Sequence, residues 1–278
     1  MSDRIDLQTL RRKVEAISAL PTVPATLRRI SVTLEKPRIN LDELGRLISN
    51  DPALTTKILK MVNSAAYGFP GRISSVSHAT MLLGLNVIKG LLLGVSVFEL
   101  MEKTMIGLWE HSLGCTVAAR LIAQKKGLKE PEEVSVCGLL HDIGKAVLML
   151  QYSEVYEKAM HEAESEGTAI YDAESRYFMA NHAEVGHWLV QKWHFPPSLC
   201  DAIRYHHQPN LSKQSPMETA IVHVSDVLVR AKGIGYAGDL VVPAVNPAAW
   251  ETVNLSDGDI RDILSNLEDG AASASDTL

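Results

Sequence analysis

Apolar residues recur at three- and four-residue steps along most of this chain, and that helical spacing is the feature that most limits its fold. One such run consists of Leu44, Leu47, Ile48, Leu54, Ile58, Leu59 and Val62. Runs that alternate apolar and polar residues, as strands do, are scarce, and residues 239–242 are too few to form a sheet. The sequence therefore predicts an all-α helical bundle in which two helical lobes pack as one body.

Breaks in this spacing suggest where the lobes begin and end. We predict an N-terminal lobe over residues 1–105, a second lobe over 106–235, a C-terminal helical extension over 236–268 and a disordered tail over 269–278, which has few anchoring apolar residues. Asp51 and Pro52 predict a helix start, with Asp51 as the cap. We expect Asn63 to be partly buried and hydrogen-bonded to backbone near a helix end, since an unpaired buried amide is costly.

Charge and composition argue against several classes of function. The net charge is -6 and aromatic residues make up 5% of the chain, which disfavours binding to nucleic acid or to an anionic membrane. The longest continuous apolar stretch, residues 90–98, is too short to span a bilayer. Cys115, Cys137 and Cys200 show no pairing pattern, which favours reduced thiols in a cytoplasmic protein.

Apart from the thiol of Cys137, His141 and Asp142 are the only ionisable residues between Glu133 and Lys145, and their neighbours are apolar. An ionised carboxylate in such surroundings is costly unless something pairs with it. A hydrogen bond between the two side chains, without any metal, would satisfy this need. A divalent metal ion would also satisfy it, because such ions accept both imidazole and carboxylate ligands.

Further histidines and a further aspartate lie in similar helical, largely apolar surroundings of the second lobe. The candidate metal ligands are His111, His141, Asp142, His182, His206, His207 and Asp226. Seven protein ligands exceed what one catalytic ion accepts, so we expect two divalent transition-metal ions, of Fe, Mn, Ni or Zn. Neighbouring residues on a helix point about 100° apart, so each adjacent pair can serve two ions, and Asp142 is the candidate bridge.

The other histidines are interpreted as ordinary core or surface residues. This group consists of His78, His161, His187, His194 and His223. His187 and His223 are the strongest alternatives to the chosen ligands, since each lies near one of them in the sequence.

The order of the candidates (His, His-Asp, His, His-His, Asp) resembles the metal ligands of the HD superfamily of metal-dependent phosphohydrolases. Residues 141–145, His-Asp-Ile-Gly-Lys, have the form typical of the HD-GYP cyclic-di-GMP phosphodiesterases. The N-terminal lobe resembles the HDOD domain. The motifs that carry this second resemblance lie at residues 20–24, 48–54, 62–67 and 73–84.

The resemblance implies a bacterial HDOD-type signalling or regulatory protein whose HD site still binds metal. HDOD domains are regarded as signalling output modules, and many have lost the HD ligands, whereas this sequence keeps them. The chain contains no phosphorylation receiver, sensor or DNA-binding motif. The expected partner is therefore a separate signalling protein or a nucleotide-type ligand.

Three other activities remain open at this point. One is metal-dependent hydrolysis of a nucleotide or cyclic dinucleotide, in which Lys145 or Arg204 would hold the phosphate; alternatively, both are solvated basic side chains. The Gly-Tyr-Pro loop of HD-GYP proteins is missing after His207, which argues against cyclic-di-GMP as substrate. The others are an interaction module with a structural metal, and redox chemistry at a di-iron site.

Overall fold

A computed structural model of the chain describes residues 4–16, 32–33, 36, 44–45, 48–64, 67 and 73–275. The motif at residues 20–24 and Leu47 lie outside this set. Within the described residues, β structure is limited to one bridge between Ile5 and Phe178. The all-α prediction is therefore confirmed.

Within the described residues, the structure gives the bounds of twelve α-helices and one 3-10 turn. They are α1 (Leu7–Glu15), α2 (Pro52–Val62), α3 (Val76–Thr104), α4 (Leu108–Lys125), α5 (Pro131–Leu140), α6 (Ile143–Glu166), α7 (Ile170–Tyr177), α8 (His182–Lys192), α9 (Pro197–Tyr205), a 3-10 turn (Pro209–Leu211), α10 (Pro216–Ala231), α11 (Pro247–Val253) and α12 (Asp257–Ser275).

One buried apolar cluster connects the two lobes. It runs from Leu10 on α1 through Ile58 on α2 and Leu91 on α3 to Leu140 on α5 and Val222 on α10. Burial of this continuous apolar surface is the main stabilising contribution, and it cannot be divided between two independent units. The lobes therefore pack as one body, as the helical spacing predicted.

A second apolar cluster attaches the C-terminal helices to α4. Ile122 and Ala123 of α4 pack with Val253 of α11 and with Ile263 and Leu267 of α12. Because α4 also carries His111, this contact fixes the back of the helix that presents a candidate ligand.

Helix α12 continues to Ser275, where the sequence predicted a disordered tail from residue 269. Three of the last residues, Ala271, Ala272 and Ala274, are alanines, and alanine has the highest helix propensity of all residue types. Extending an existing helix avoids the cost of nucleation, so a stretch without anchoring apolar residues can remain helical.

The apolar stretch at residues 90–98 overlaps a longer apolar segment. Within α3, Val76–Val95 is long and apolar enough to cross a membrane by length and composition, although most of it is buried inside the protein. This segment is not a continuous apolar run, because polar residues such as Asn86 and Lys89 interrupt it. The burial is what a core helix requires.

Asn63 ties the end of α2 to the chain that leads into α3. Its Nδ2 donates to the carbonyl oxygens of Leu59 (2.7 Å) and Ile73 (2.8 Å), and the backbone N–H of Ile73 donates to its Oδ1 (2.7 Å). The predicted backbone role is confirmed, but Asn63 is exposed rather than partly buried. At the start of α2, Asp51 caps the helix by accepting from the N–H of Leu54 at 3.1 Å.

Replacing Asn63 by alanine should lower the free energy of unfolding by about 2 kcal/mol, because three hydrogen bonds to backbone are lost at a partly solvated site. Urea denaturation measures this change. Asn50→Ala is the matched control, since Asn50 is also exposed, and its effect should stay within about 0.5 kcal/mol. Equal effects of the two substitutions would contradict the role given to Asn63.

Candidate metal centre

Helix ends and helix junctions carry six of the seven candidate ligands, the interior of α10 carries the seventh, and all seven lie in one place. His111 lies in the first turn of α4, His141 and Asp142 in the junction of α5 and α6, His182 at the start of α8, His206 and His207 directly after α9, and Asp226 on α10. Six of them are buried, and His207 is half-buried.

Two glycines let the elements that carry these ligands approach closely. A Cβ atom on Gly144 would lie 1.9 Å from the carbonyl oxygen of His182, and one on Gly138 would lie 2.5 Å from that of Cys115. Any larger residue at Gly144 would push the start of α6 away from α8. Any larger residue at Gly138 would separate α5 from α4.

The ligand atoms form two groups, each with all its atoms within 4.8 Å of one another. The first donor group consists of His111, Cys115, His141 and Asp226. The second donor group consists of Asp142, His182, His206 and His207. No other histidine joins either group in the part of the chain that the structure describes.

Asp142 faces both groups with different oxygens. Its Oδ2 lies 3.6 Å from Nε2 of His111 and 3.3 Å from Nε2 of His141. Its Oδ1 lies 3.2 Å from Nε2 of His182 and 3.8 Å from Nε2 of His206. This is the arrangement of a carboxylate that can bridge two cations.

Hydrogen bonds at Nδ1 orient three of the imidazoles. Nδ1 of His141 donates to the carbonyl oxygen of Gly138 (2.8 Å), and Nδ1 of His206 donates to that of Ile203 (2.6 Å). Nδ1 of His182 lies 2.8 Å from a carboxylate oxygen of Glu174. A neutral ring that donates through Nδ1 carries a lone pair on Nε2. The lone pairs on Nε2 of all three rings therefore point toward the Asp142 carboxylate, which can accept hydrogen bonds but cannot donate them.

This concentration of acceptors fits divalent cations. Nε2 of His206 and Oδ1 of Asp142 are buried without a hydrogen-bond partner among the described residues. Nε2 of His111 and Nε2 of His141 are 3.3 Å apart. Two nitrogen ligands of one tetrahedral ion, each bound at about 2.0–2.1 Å, would be separated by about 3.3–3.4 Å.

Burial opposes ionisation of both aspartates, but nearby basic groups and hydrogen-bond donors outweigh it. His141 and Lys145 hold the pKa of the Asp142 carboxyl well below its usual range. Arg230 holds the pKa of Asp226 well below its usual range in the same way, with Nε 2.8 Å from Oδ1. Both carboxylates are therefore charged and available as ligands.

The histidines of the second donor group differ in the direction of their pKa shifts. Burial and the surrounding imidazoles hold the pKa values of His206 and His207 well below the usual range, so both rings are neutral. Burial also lowers the pKa of His182, but the carboxylates of Glu174 and Asp142 together outweigh burial and the net pKa is raised. Neutral imidazole is the form that binds a metal ion.

The two basic residues expected to hold a phosphate lie in different places. Lys145 is fully buried, and its Nζ donates to Oδ2 of Asp142 and to the carbonyl oxygen of Ala237, both at 2.7 Å. The alternative of a solvated side chain is therefore wrong for Lys145. Arg204 is partly exposed and pairs with Glu184 (2.8 and 3.0 Å), outside both donor groups.

Glu174 is the functional residue that the sequence reasoning missed most clearly. It is fully buried and accepts from the backbone N–H of His182 and from the hydroxyl of Tyr156, both at 2.8 Å, besides its contact with the His182 ring. Its place in the helical spacing indicates burial. Glu174 shares a helix face with Ile170, Ala173 and Tyr177, so an apolar residue would be expected at this position.

Cys115 and Arg230 were also missed. Each follows a candidate ligand by four residues on the same helix, Cys115 after His111 and Arg230 after Asp226, so both lie on the ligand face. Arg230 also donates to Oδ1 of the buried Asp239 at 2.9 Å. Helical spacing alone would have found both.

The two strongest alternative histidines have other contacts. Nδ1 of His223 donates to the carbonyl oxygen of His206 (2.7 Å), and its Nε2 accepts from the N–H of Asn246 (2.9 Å). Nδ1 of His187 lies 3.2 Å from the carbonyl oxygen of Cys200. His223 therefore supports the backbone of a candidate ligand, and His187 belongs to the packing of α8 on α9.

One side of the second donor group faces outward. The ring of His207 packs against Tyr171, with 4.5 Å between the ring centroids, and both residues are half-buried. The remaining donors lie deeper, so this is the side from which a molecule could approach the centre.

Comparison with known proteins gives one family and several similar structures. The HDOD domain model matches residues 20–209. A crystal structure of an HDOD domain protein from Geobacter sulfurreducens is 27% identical, with a TM-score of 0.70, covering 98% of this chain and 99% of that one. A proposed phosphohydrolase from Shewanella amazonensis is 19% identical, with a TM-score of 0.69 and 97% of each chain covered. At this identity it shows the fold alone.

An uncharacterized protein of Treponema pallidum is 30% identical over 212 residues. The match covers 73% of this chain but 41% of that protein, so the chain spans about two fifths of the relative's length.

Proposed function

We propose that this chain, which belongs to the HDOD domain family, is a regulatory module that binds two divalent transition-metal ions in its helical core. The observation that carries the proposal is Asp142, whose two oxygens face two separate groups of buried donors. His111, His141 and Asp226 would hold one ion, and His182, His206 and His207 the other. Bound here, such ions would act as Lewis acids toward an anionic ligand.

The chain's own residues prepare this centre. Lys145 and Arg230 balance the charges of Asp142 and Asp226, and Glu174 orients the ring of His182. Buried partners of this kind keep ligands in position before the ion binds. The input signal would be a nucleotide-type ligand or a partner protein that approaches from the side of His207.

Two features favour binding over turnover. The ammonium of Lys145 is already used by Asp142 and the carbonyl of Ala237, and Arg204 is already paired with Glu184. In this arrangement, neither the Lys145 ammonium nor the Arg204 guanidinium is free to hold a phosphate. We therefore expect cyclic-di-GMP turnover to be weak or absent, which agrees with the missing Gly-Tyr-Pro loop.

Protein purified without chelators should contain about two ions per chain by elemental analysis, as the two donor groups require. His141→Ala should lose most of this metal. His161→Ala is the matched control, because His161 is exposed and outside both groups, and it should keep the full content. Equal metal contents in the two variants would contradict the proposal.

Phosphoester hydrolysis is the second candidate function, and the outward side at His207 and Tyr171 is the observation that favours it. In this case protein loaded with Mn or Fe should hydrolyse bis-p-nitrophenyl phosphate, and His141→Ala should lower the rate by orders of magnitude. The regulatory proposal expects no hydrolysis above the metal-free blank. Robust hydrolysis that depends on His141 would contradict the regulatory proposal and support phosphoester hydrolysis as the function.

A further inference from the structure

We propose that Cys115 is a ligand of the ion in the first donor group, so that one ion has a sulfur ligand and the other has none. This inference rests on the proposed metal binding. It adds a ligand that is neither a histidine nor an aspartate, and it makes the two ions chemically different.

The position of the sulfur supports this role. Cys115 follows His111 by one helical turn on α4 and is fully buried. Its Sγ lies 3.6 Å from Nε2 of His111, and Oδ1 of Asp226 lies 3.1 Å from the same nitrogen. The sulfur, two imidazole nitrogens and a carboxylate oxygen, all within 4.8 Å of one another, form a complete set of four donors.

The separations between donors match those of a four-coordinate site. With nitrogen bound at about 2.0–2.1 Å and thiolate sulfur at about 2.3 Å, a tetrahedron places nitrogen and sulfur about 3.6 Å apart. The observed Sγ to Nε2 distance is 3.6 Å, and the two nitrogens of the group are 3.3 Å apart. The position of Sγ is therefore compatible with Cys115 and His111 binding the same ion.

The two donor groups would then prefer different ions. The first supplies a thiolate, the Asp226 carboxylate and two imidazoles, whereas the second supplies three imidazoles and an oxygen of Asp142. Thiolate favours Zn and Fe(II) over harder ions such as Mn and Mg. When the ion binds, the thiol proton leaves to solvent and no oxidation or reduction takes place. The first group should therefore bind Zn or Fe(II) more tightly.

The other two cysteines supply controls. Sγ of Cys137 lies 3.4 Å from the carbonyl oxygen of Glu133, and Sγ of Cys200 lies 3.6 Å from that of Phe195. Both thiols are buried, but neither belongs to a donor group among the described residues.

Cobalt(II) titration of the metal-free full-length chain tests the proposal, because thiolate bound to cobalt gives an intense charge-transfer absorption in the near ultraviolet that nitrogen and oxygen ligands do not give. This absorption should rise with about one equivalent of cobalt in wild type. Cys115→Ser and Cys115→Ala should lose it, and cobalt affinity at one position should fall at least tenfold. The double variant Cys137→Ser, Cys200→Ser should keep it in full.

Each result decides the question. Two bound cobalt ions without the absorption, or an absorption that survives in Cys115→Ser, would overturn the role of Cys115 and leave the proposed function intact. No bound cobalt at all would overturn both. If the Cys115 variants do not fold, X-ray absorption on zinc-loaded wild type replaces them: a sulfur neighbour at about 2.3 Å supports the proposal, and only nitrogen and oxygen neighbours contradict it.

Discussion

Asp142→Asn should reduce the bound metal from about two ions per chain to less than one, which is the largest single effect expected on the centre. The substitution keeps the shape of the side chain but removes the charge that both donor groups share. An amide has one acceptor oxygen, so it cannot serve two cations as the carboxylate can. Elemental analysis of protein purified without chelators gives the result.

The matched control is Asp172→Asn, on the exposed face of α7, which should keep the full metal content. Loss of Asp142 also leaves the buried Lys145 ammonium without its partner, which costs roughly 3–5 kcal/mol of stability. The double variant Asp142→Asn, Lys145→Met removes both charges. It should regain much of that stability but none of the metal. Restored metal in the double variant would show that unfolding, rather than the missing ligand, caused the loss.

Glu174→Gln should weaken metal binding by about 10–100-fold while the chain stays folded. The glutamine amide can donate to Nδ1 of His182 and so favours the tautomer with hydrogen on Nε2. That tautomer has no lone pair to offer in the second donor group. Competition titration with a zinc chelator measures the affinity, and an unchanged affinity would contradict the orienting role of Glu174.

Glu174→Ala should go further and lower the free energy of unfolding by about 3 kcal/mol or more, since it leaves the Tyr156 hydroxyl and two N–H groups of His182 buried without an acceptor. Tyr156→Phe is the matched control. It removes one of the three donors, should cost about 1 kcal/mol, and should leave the metal affinity unchanged.

The fold class could be predicted because helical spacing is a local property of the sequence. The choice of ligand residues depended on a second local property, ionisable residues surrounded by apolar ones. The orientation of the rings could not be predicted, because it depends on carbonyl groups such as those of Gly138 and Ile203, which reach the histidines only after the helices have packed.

Two differences show where local reasoning fails. Asn63 makes the expected hydrogen bonds at an exposed position, because the chain entering α3 reaches the end of α2 at the surface. Glu174 lies eight residues before its partner His182, on a different helix. Helical spacing indicates that Glu174 is buried, but its contact with His182 follows only from how α7 packs beside α8.

Anomalous X-ray scattering from crystals of chelator-free protein, measured on both sides of the absorption edge of the metal found by elemental analysis, tests the central claim most directly. The account predicts two peaks, one on the Oδ2 side of Asp142 near His111 and one on the Oδ1 side near His206. A map with no peak at Asp142, from protein shown to be folded and never exposed to chelator, would contradict it.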